Sequence, residues 1–225
     1  MPVNLAPIIK AVDELKEKSK KRNFIQSVDL AVNIKDVDLK QPKNRINTEV
    51  FLPHELGKGS KICVVASGDL GIRAKNMGLT VLDKDELGKL GSDKKSAKKF
   101  VRDYDVFIAG VDLMPTLAKS LGPVLGPTGK MPLGPPKGRG IIPPNADLNP
   151  IIDLYKKMVR IRLRKSLVIN CKVGSEKMSS QDLAENIQSI TNYLEENLES
   201  GLRNIAKLGV KTTMGPYIKI EAKVG

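Results

Sequence analysis

Few residues in this chain of 225 have the chemistry of catalysis. His54, the single histidine, stands in "LPHELG", a connector marked by proline and glycine, with no serine or cysteine nucleophile motif to accompany it. A lone loop histidine more often caps or packs than acts as a general base. Cys63 in "KICVVA" and Cys171 in "LVINCKV" lie in apolar, strand-like runs, which predicts buried inert thiols rather than a disulfide or metal pair. One histidine and two isolated cysteines cannot supply a metal ligand set. The carboxylates are scattered over helix-like polar faces, where solvation accounts for them. No active site emerges, and no cofactor is expected.

Phosphate-cradling loops are the sharper enzymatic alternative, as in a nucleotide-binding α/β protein. "ASGDLGIR" follows an apolar strand, but Gly68 and Gly71 supply only part of a dinucleotide fingerprint. The stretch "LGPVLGPTGKMPLGPPKGRGIIPP", Leu121 to Pro144, contains a Gly129–Lys130 pair. Val124 and Met131 stand where a P-loop needs glycine and a hydroxyl residue. Its prolines also remove backbone N–H groups that would hold phosphate. A flexible linker is equally ill-suited, because Leu121, Val124, Leu125, Met131, Leu133, Ile141 and Ile142 are apolar. The residues favour an ordered basic loop carrying Lys130, Lys137 and Arg139 toward a partner, with a loop that caps its own domain as the alternative.

The formal charge of +13 points to a polyanion, most often nucleic acid, although a lysine- and glutamate-rich solubilising surface also fits. Two stretches could read one. Arg160, Arg162 and Arg164 alternate with apolar residues and share one strand face, as a phosphate rail or as a solvated face. "KTTMGPYIKI" sets two hydroxyls, Met214 and a Gly-Pro turn directly before the last strand. Threonine hydroxyls there can meet ribose 2′-OH groups, and an ordinary turn with Met214 in the core is the plain alternative. With aromatics at 4 % and no tryptophan, base-stacking on single strands is disfavoured, and a structured RNA fits better.

The elements that must position these residues fall into two styles. "APIIKAVDELKEKSKK" repeats Ile8, Ile9, Val12 and Leu15 at helical spacing, and "SVDLAVNI" and "NRINTEVFL" read as half-buried strands. From Lys61, continuous apolar runs ("KICVVA", "LTVL", "DVFIAG") alternate with helical stretches, as in a parallel sheet covered on both faces. From Tyr155 the first style returns in "VRIRLRKSLVINCKV", in a long helix over "SSQDLAENIQSITNYLEENLESGLRNIAKLG", and in the alternating end "YIKIEAKV". The expectation is an α/β chain: residues 1–60 and 155–225 form a discontinuous α+β domain with an antiparallel sheet, and 61–154 an inserted α/β domain. The outer segments hold the larger share of the positive charge. No apolar run reaches membrane-spanning length and the N-terminus lacks a signal peptide's apolar stretch, so a cytosolic protein is expected.

"TTMGP" before a terminal strand, "LGPVLGPTGKMP" and "FIQSVDLAVNI", in this order along the whole chain, resemble the L-one family of large-subunit ribosomal proteins. "PPKGRG" is similar to the archaeal branch. The resemblance implies a Rossmann-like, three-layer inserted domain joined to the split domain by a two-strand hinge. It implies binding to a helical junction of large-subunit ribosomal RNA, in the mobile stalk near the tRNA exit site, where it aids release of deacylated tRNA. It further implies repression of the protein's own mRNA, a monomer off the ribosome, and no membrane partner. Carried onto this sequence, the RNA contacts are Phe24, Ser27, Asn170, Lys172, Thr212, Thr213, Met214 and Gly215. Lys21 and Arg22 are the neighbouring cations, with Asn23 directly before Phe24.

Overall fold

The computed structural model describes residues 4–57, 60–164 and 166–221. Along the chain run α1 (Leu5–Lys18), β1 (Ser27–Ile34), β2 (Ile46–Phe51), β3 (Ile62–Val65), α2 (Gly68–Asn76), β4 (Thr80–Leu82), α3 (Lys84–Ser92) and α4 (Lys94–Asp103). They continue through β5 (Val106–Gly110), α5 (Met114–Ser120), α6 (Gly122–Thr128), β6 (Ile141–Ile142), α7 (Leu148–Lys156), β7 (Met158–Leu163), β8 (Val168–Ser175), α8 (Ser180–Asn197), β9 (Ile205–Thr212) and β10 (Tyr217–Lys219). The chain forms two compact units, one of Met1–Gly59 with Lys157–Gly225 and one of Ser60–Lys156.

In the split unit, the alternation of "SVDLAVNI" becomes β1, whose Val28, Leu30, Val32 and Ile34 are buried. β1 lies inside an antiparallel sheet of order β10-β9-β1-β8, and β2 pairs with β7 in a separate two-stranded ribbon. Ile8, Val12 and Leu15 of α1 join Leu183, Ile187, Ile190 and Leu194 of α8 over the apolar sheet face. Each such fully buried aliphatic side chain contributes about 1.5–3 kcal/mol of transfer free energy. The period of two then dictates the other face: Asp29, Ala31 and Asn33 of β1, with Asn170 and Lys172 of β8 and Lys207, Gly209 and Lys211 of β9 as register partners.

Helix α8 is capped by Ser179, whose hydroxyl accepts from the Asp182 N–H at 3.0 Å. The expected continuation of that helix to Gly209 is wrong. It stops at Asn197, Gly201 takes φ +56°, and "IAKLGVKT" is strand β9. Helical spacing of Leu202, Ile205 and Leu208 gave a false signal. Ile205, Leu208 and Val210 are buried because β9 sits between β1 and β10, where Gly209 and the β-branched Ile205 and Val210 suit a strand. Residues 222–224 of the expected terminal strand lie outside the described residues.

The inserted unit is built on a parallel sheet of order β4-β3-β5-β6. β3 and β5 are buried along their whole length, which explains their uninterrupted apolar sequences. Gly71 packs closely at the end of β3, where a Cβ would lie 3.2 Å from the Ala66 carbonyl oxygen, tighter than an ordinary contact. The Gly/Pro stretch is not all loop. Gly122–Thr128 is helical, its Leu125 is buried, and Gly129 closes it with φ +73°. Lys130 does not face a partner. Its ammonium donates to the carbonyls of Val101 at 2.8 Å and Tyr104 at 2.6 Å, at the end of α4. Lys137 and Arg139 are exposed.

Both cysteines are free and buried, and burial pushes each thiol up to about 12. His54 is structural: its ring Nε2 lies 2.6 Å from Glu185 Oε2, holding that carboxyl below its ordinary range. Its backbone is tied to α8 by Asn186, a fully buried residue. The Asn186 carbonyl oxygen accepts from the His54 N–H at 3.0 Å, and its amide donates to the carbonyls of His54 at 3.3 Å and Val173 at 2.9 Å. Asn186→Ala strands those groups, so chemical denaturation is expected to show a loss of about 1–3 kcal/mol; an unchanged midpoint contradicts this role.

Candidate nucleic-acid interface

One end of the split unit gathers three segments: the run after α1, the turn after β8, and the "TTMGP" turn between β9 and β10. Their common partner is Gln26, 1 % exposed. Its side-chain oxygen accepts from the Met214 N–H at 3.1 Å. Its amide donates to the Lys20 carbonyl at 3.1 Å and to Glu176 Oε2 at 3.1 Å. The Gln26 N–H donates to Glu176 Oε1 at 3.0 Å, and the Glu176 N–H returns a bond to the Gln26 carbonyl at 3.0 Å. Next to this hub the Ser27 N–H donates to Thr213 Oγ1 at 3.1 Å and the Thr213 N–H to the Ser27 carbonyl at 3.1 Å. The turn's own backbone is thus satisfied from within the protein. The Thr213 hydroxyl is engaged with the Ser27 backbone at the surface, while Met214 is 63 % exposed and Phe24, on the neighbouring segment, 51 %.

From this end the polar sheet face extends across β8, β1, β9 and β10. Asp29 is flanked by Lys172 on one side and Lys211 on the other. Burial pushes the Asp29 carboxyl above its ordinary value, and the two lysines pull it back. The floor beside it is low, with Ala31 between Asn170 and Gly209. Tyr217 lies across Gly209, where any Cβ would overlap its ring, and burial raises the phenol's pKa. The surface therefore offers hydroxyls, amides, lysine ammonium groups and exposed apolar side chains beside a shallow floor. A hollow of about 550 Å³ adjoins it, lined in part by Lys21, Arg22, Phe24 and Lys177. Both cations preceding Phe24 are exposed there.

Of the expected contact residues, the structure brings Phe24, Ser27, Thr213, Met214 and Gly215 to one end. Asn170 and Lys172 lie on the adjoining sheet face. Thr212 is a correction. It is 1 % exposed on the core side of β9, and its hydroxyl shares a 3.0 Å hydrogen bond with Ser19, so its side chain serves the fold. Gly215 needs its missing Cβ for the protein itself, since a methyl there would overlap the Thr212 hydroxyl and lie 2.9 Å from Ser19 Oγ. The arginine rail is also reduced. Arg160 is ion-paired with Glu49, whose side chain is buried, and Arg162 is held below its usual pKa by burial and by Arg164 and Arg160. Sequence reasoning missed Gln26, Asp29, Lys211 and Tyr217. The parity of β1 with Ser27 pointed to Asp29, whereas nothing local marked Gln26 as a buried hub.

Residues 15–216 match the model of the ribosomal protein L1p/L10e family. The chain belongs to that family. It is 47 % identical over 214 residues to the large ribosomal subunit protein uL1 of Methanothermococcus thermolithotrophicus, covering 95 % of this chain and 97 % of that protein. Against the protein of the same name from Pyrococcus abyssi, identity is 43 % over 222 residues, 98 % of each chain. Against that of Methanocaldococcus jannaschii it is 40 % over 214 residues, 95 % of this chain and 94 % of that one. These relatives are ribosomal proteins, not enzymes, which removes the nucleotide-binding enzyme as an alternative.

The hydroxyl geometry separates fold from surface. Gly215→Ala is expected to cost about 1–3 kcal/mol by overpacking against Thr212. Thr213→Val, at an exposed site, costs about 0.5–1.5 kcal/mol. Urea midpoints check the order, and a Gly215→Ala protein as stable as the parent refutes it.

Proposed function

We propose that this chain is a component of the large ribosomal subunit and binds a structured helical junction of that subunit's RNA through the turn and polar sheet face of its split unit. The observation that carries this reading is the preformed turn: Gln26 and Ser27 satisfy its backbone, while Thr213, Met214 and nearby Phe24 stay exposed beside Lys172 and Lys211.

In this reading the lysines on the sheet face, with Lys21 and Arg22, neutralise phosphates and set position. Thr213, Asn170 and Ser27 meet base edges and ribose 2′-hydroxyls, the latter distinguishing RNA from DNA. Met214 and Phe24 pack on ribose or a splayed base. A fixed backbone lowers the ordering cost of binding. Asp29 excludes phosphate from the middle of the face, favouring a donor such as a 2′-OH or base amino group there. The same site, meeting a similar structure in the protein's own mRNA, would repress its translation. On the ribosome the chain forms the mobile stalk by the tRNA exit site and aids release of deacylated tRNA; off it the chain is a cytoplasmic monomer with no membrane partner. Among the described residues no helix is long and apolar enough to cross a membrane.

Sequencing the RNA that co-purifies through a high-salt wash tests the reading. One dominant large-subunit fragment spanning a helical junction is expected, and Thr213→Val is expected to weaken binding to it by about two- to tenfold. A mixed pool that merely follows RNA abundance contradicts the assignment.

A further inference from the structure

The inserted unit carries a second cationic surface that the reading above does not use. Helix α4, "KKSAKKFVRD", buries Ala97 and Val101 and exposes Lys94, Lys95, Lys98, Lys99 and Arg102. At about 3.6 residues per turn these five fall on one contiguous arc of about 140°, which begins beside Val101 and runs round the exposed side of the helix, with a rise of about 12 Å from first to last. Among the described residues none of the five is ion-paired.

The arrangement works against the helix's own stability. Lys94–Lys98, Lys95–Lys99 and Lys98–Arg102 are like-charge pairs at four-residue spacing, which destabilise a helix. Two of the lysines sit in the first turn, which has no acidic residue and where the helix dipole disfavours cations. Elsewhere the chain pairs opposite charges at such spacings: Lys18 with Glu14, Arg73 with Asp69, Lys156 with Asp153. Of the acids bordering the arc, Asp93 is occupied as the cap, accepting from Lys95 N–H at 2.9 Å and from the Ser96 hydroxyl at 2.6 Å, and Asp103, four residues after Lys99, is ion-paired with none of the five among the described residues. The rotation of the helix is fixed from beneath by Phe100 and Tyr104, ring centroids 4.8 Å apart, and by the Lys130 ammonium on its last carbonyls. The cations are therefore presented outward in a fixed arc.

From this unpaired arc we infer that α4 binds the phosphate backbone of an RNA double helix, as a contact separate from the junction site of the split unit. The arc holds no aromatic side chain, which excludes base stacking on single strands. Four of its five cations are lysines, which serve as point charges for phosphates rather than as planar readers of bases. The contact adds affinity without sequence preference.

The test uses the full chain and a blunt RNA duplex of mixed sequence, with affinity measured across a salt series. One protein carries Lys95→Gln, Lys98→Gln, Lys99→Gln and Arg102→Gln together. The comparison protein carries Lys75→Gln, Lys84→Gln, Lys119→Gln and Lys137→Gln, the same loss of charge scattered over exposed sites of the same unit. Glutamine keeps helix propensity. The α4 variant is expected to lose roughly tenfold or more in affinity and about three from the slope of log K against log salt, with little change in the comparison protein. Equal losses in the two proteins, or an α4 variant that binds like the parent, overturn the inference. A junction RNA measured alongside separates this result from the previous one: a parent protein with no preference for the junction strikes at the split unit's reading and leaves the duplex comparison intact.

Discussion

The candidate interface depends on the five hydrogen bonds centred on Gln26. A buried amide is costly unless both its donor hydrogens and its acceptor oxygen are satisfied. Here each is, by Lys20, Glu176 and Met214. Because those partners come from three separate segments, the cost of leaving any one unpaired holds all three in register. Sheet hydrogen bonding alone would not do so. β9 and β10 leave the "TTMGP" turn beyond the last rung of the ladder, Tyr217 with Lys211. The turn is therefore held by side chains and by Ser27, while its outer surface stays unencumbered.

The same principle sorts the residues around it. Thr212 and Thr213 are adjacent and chemically identical, yet strand alternation sends one hydroxyl to Ser19 in the interior and the other to the Ser27 backbone at the surface. Glu49 and Arg160 neutralise each other within the β2–β7 ribbon, so that part of the positive charge supports structure. Lys172 and Lys211 instead straddle Asp29 on an open face. A large net charge on the chain is thus divided among internal ion pairs, helix caps such as Lys130, and surfaces able to meet phosphate. Composition alone could not make that division.

Much of the α/β fold was legible. The alternation of "SVDLAVNI" and the unbroken apolar runs "KICVV" and "VFIAG" report directly whether a strand has one buried face or two. The family resemblance was carried by motifs and placed most of the candidate residues on one surface. What failed had physical causes. "LRNIAKLG" keeps helical spacing by accident, and only the sheet partners on both sides of β9 make it a strand. "GPVLGPT" looks like a loop because glycine and proline are counted without regard to where they fall; Pro123 sits in the first turn of α6, where its missing N–H costs nothing. Gln26 and the role of Lys130 were illegible because their partners are distant in sequence.

Gln26 preforms the turn proposed to face RNA. The most direct measurement is the affinity of Gln26→Leu for junction RNA, made on protein whose β1 and β9 amides keep native exchange protection. Lost protection at the Met214 amide and binding weaker by roughly tenfold are expected. Parental affinity in a protein whose Met214 amide exchanges freely would show that RNA does not need the turn in place beforehand.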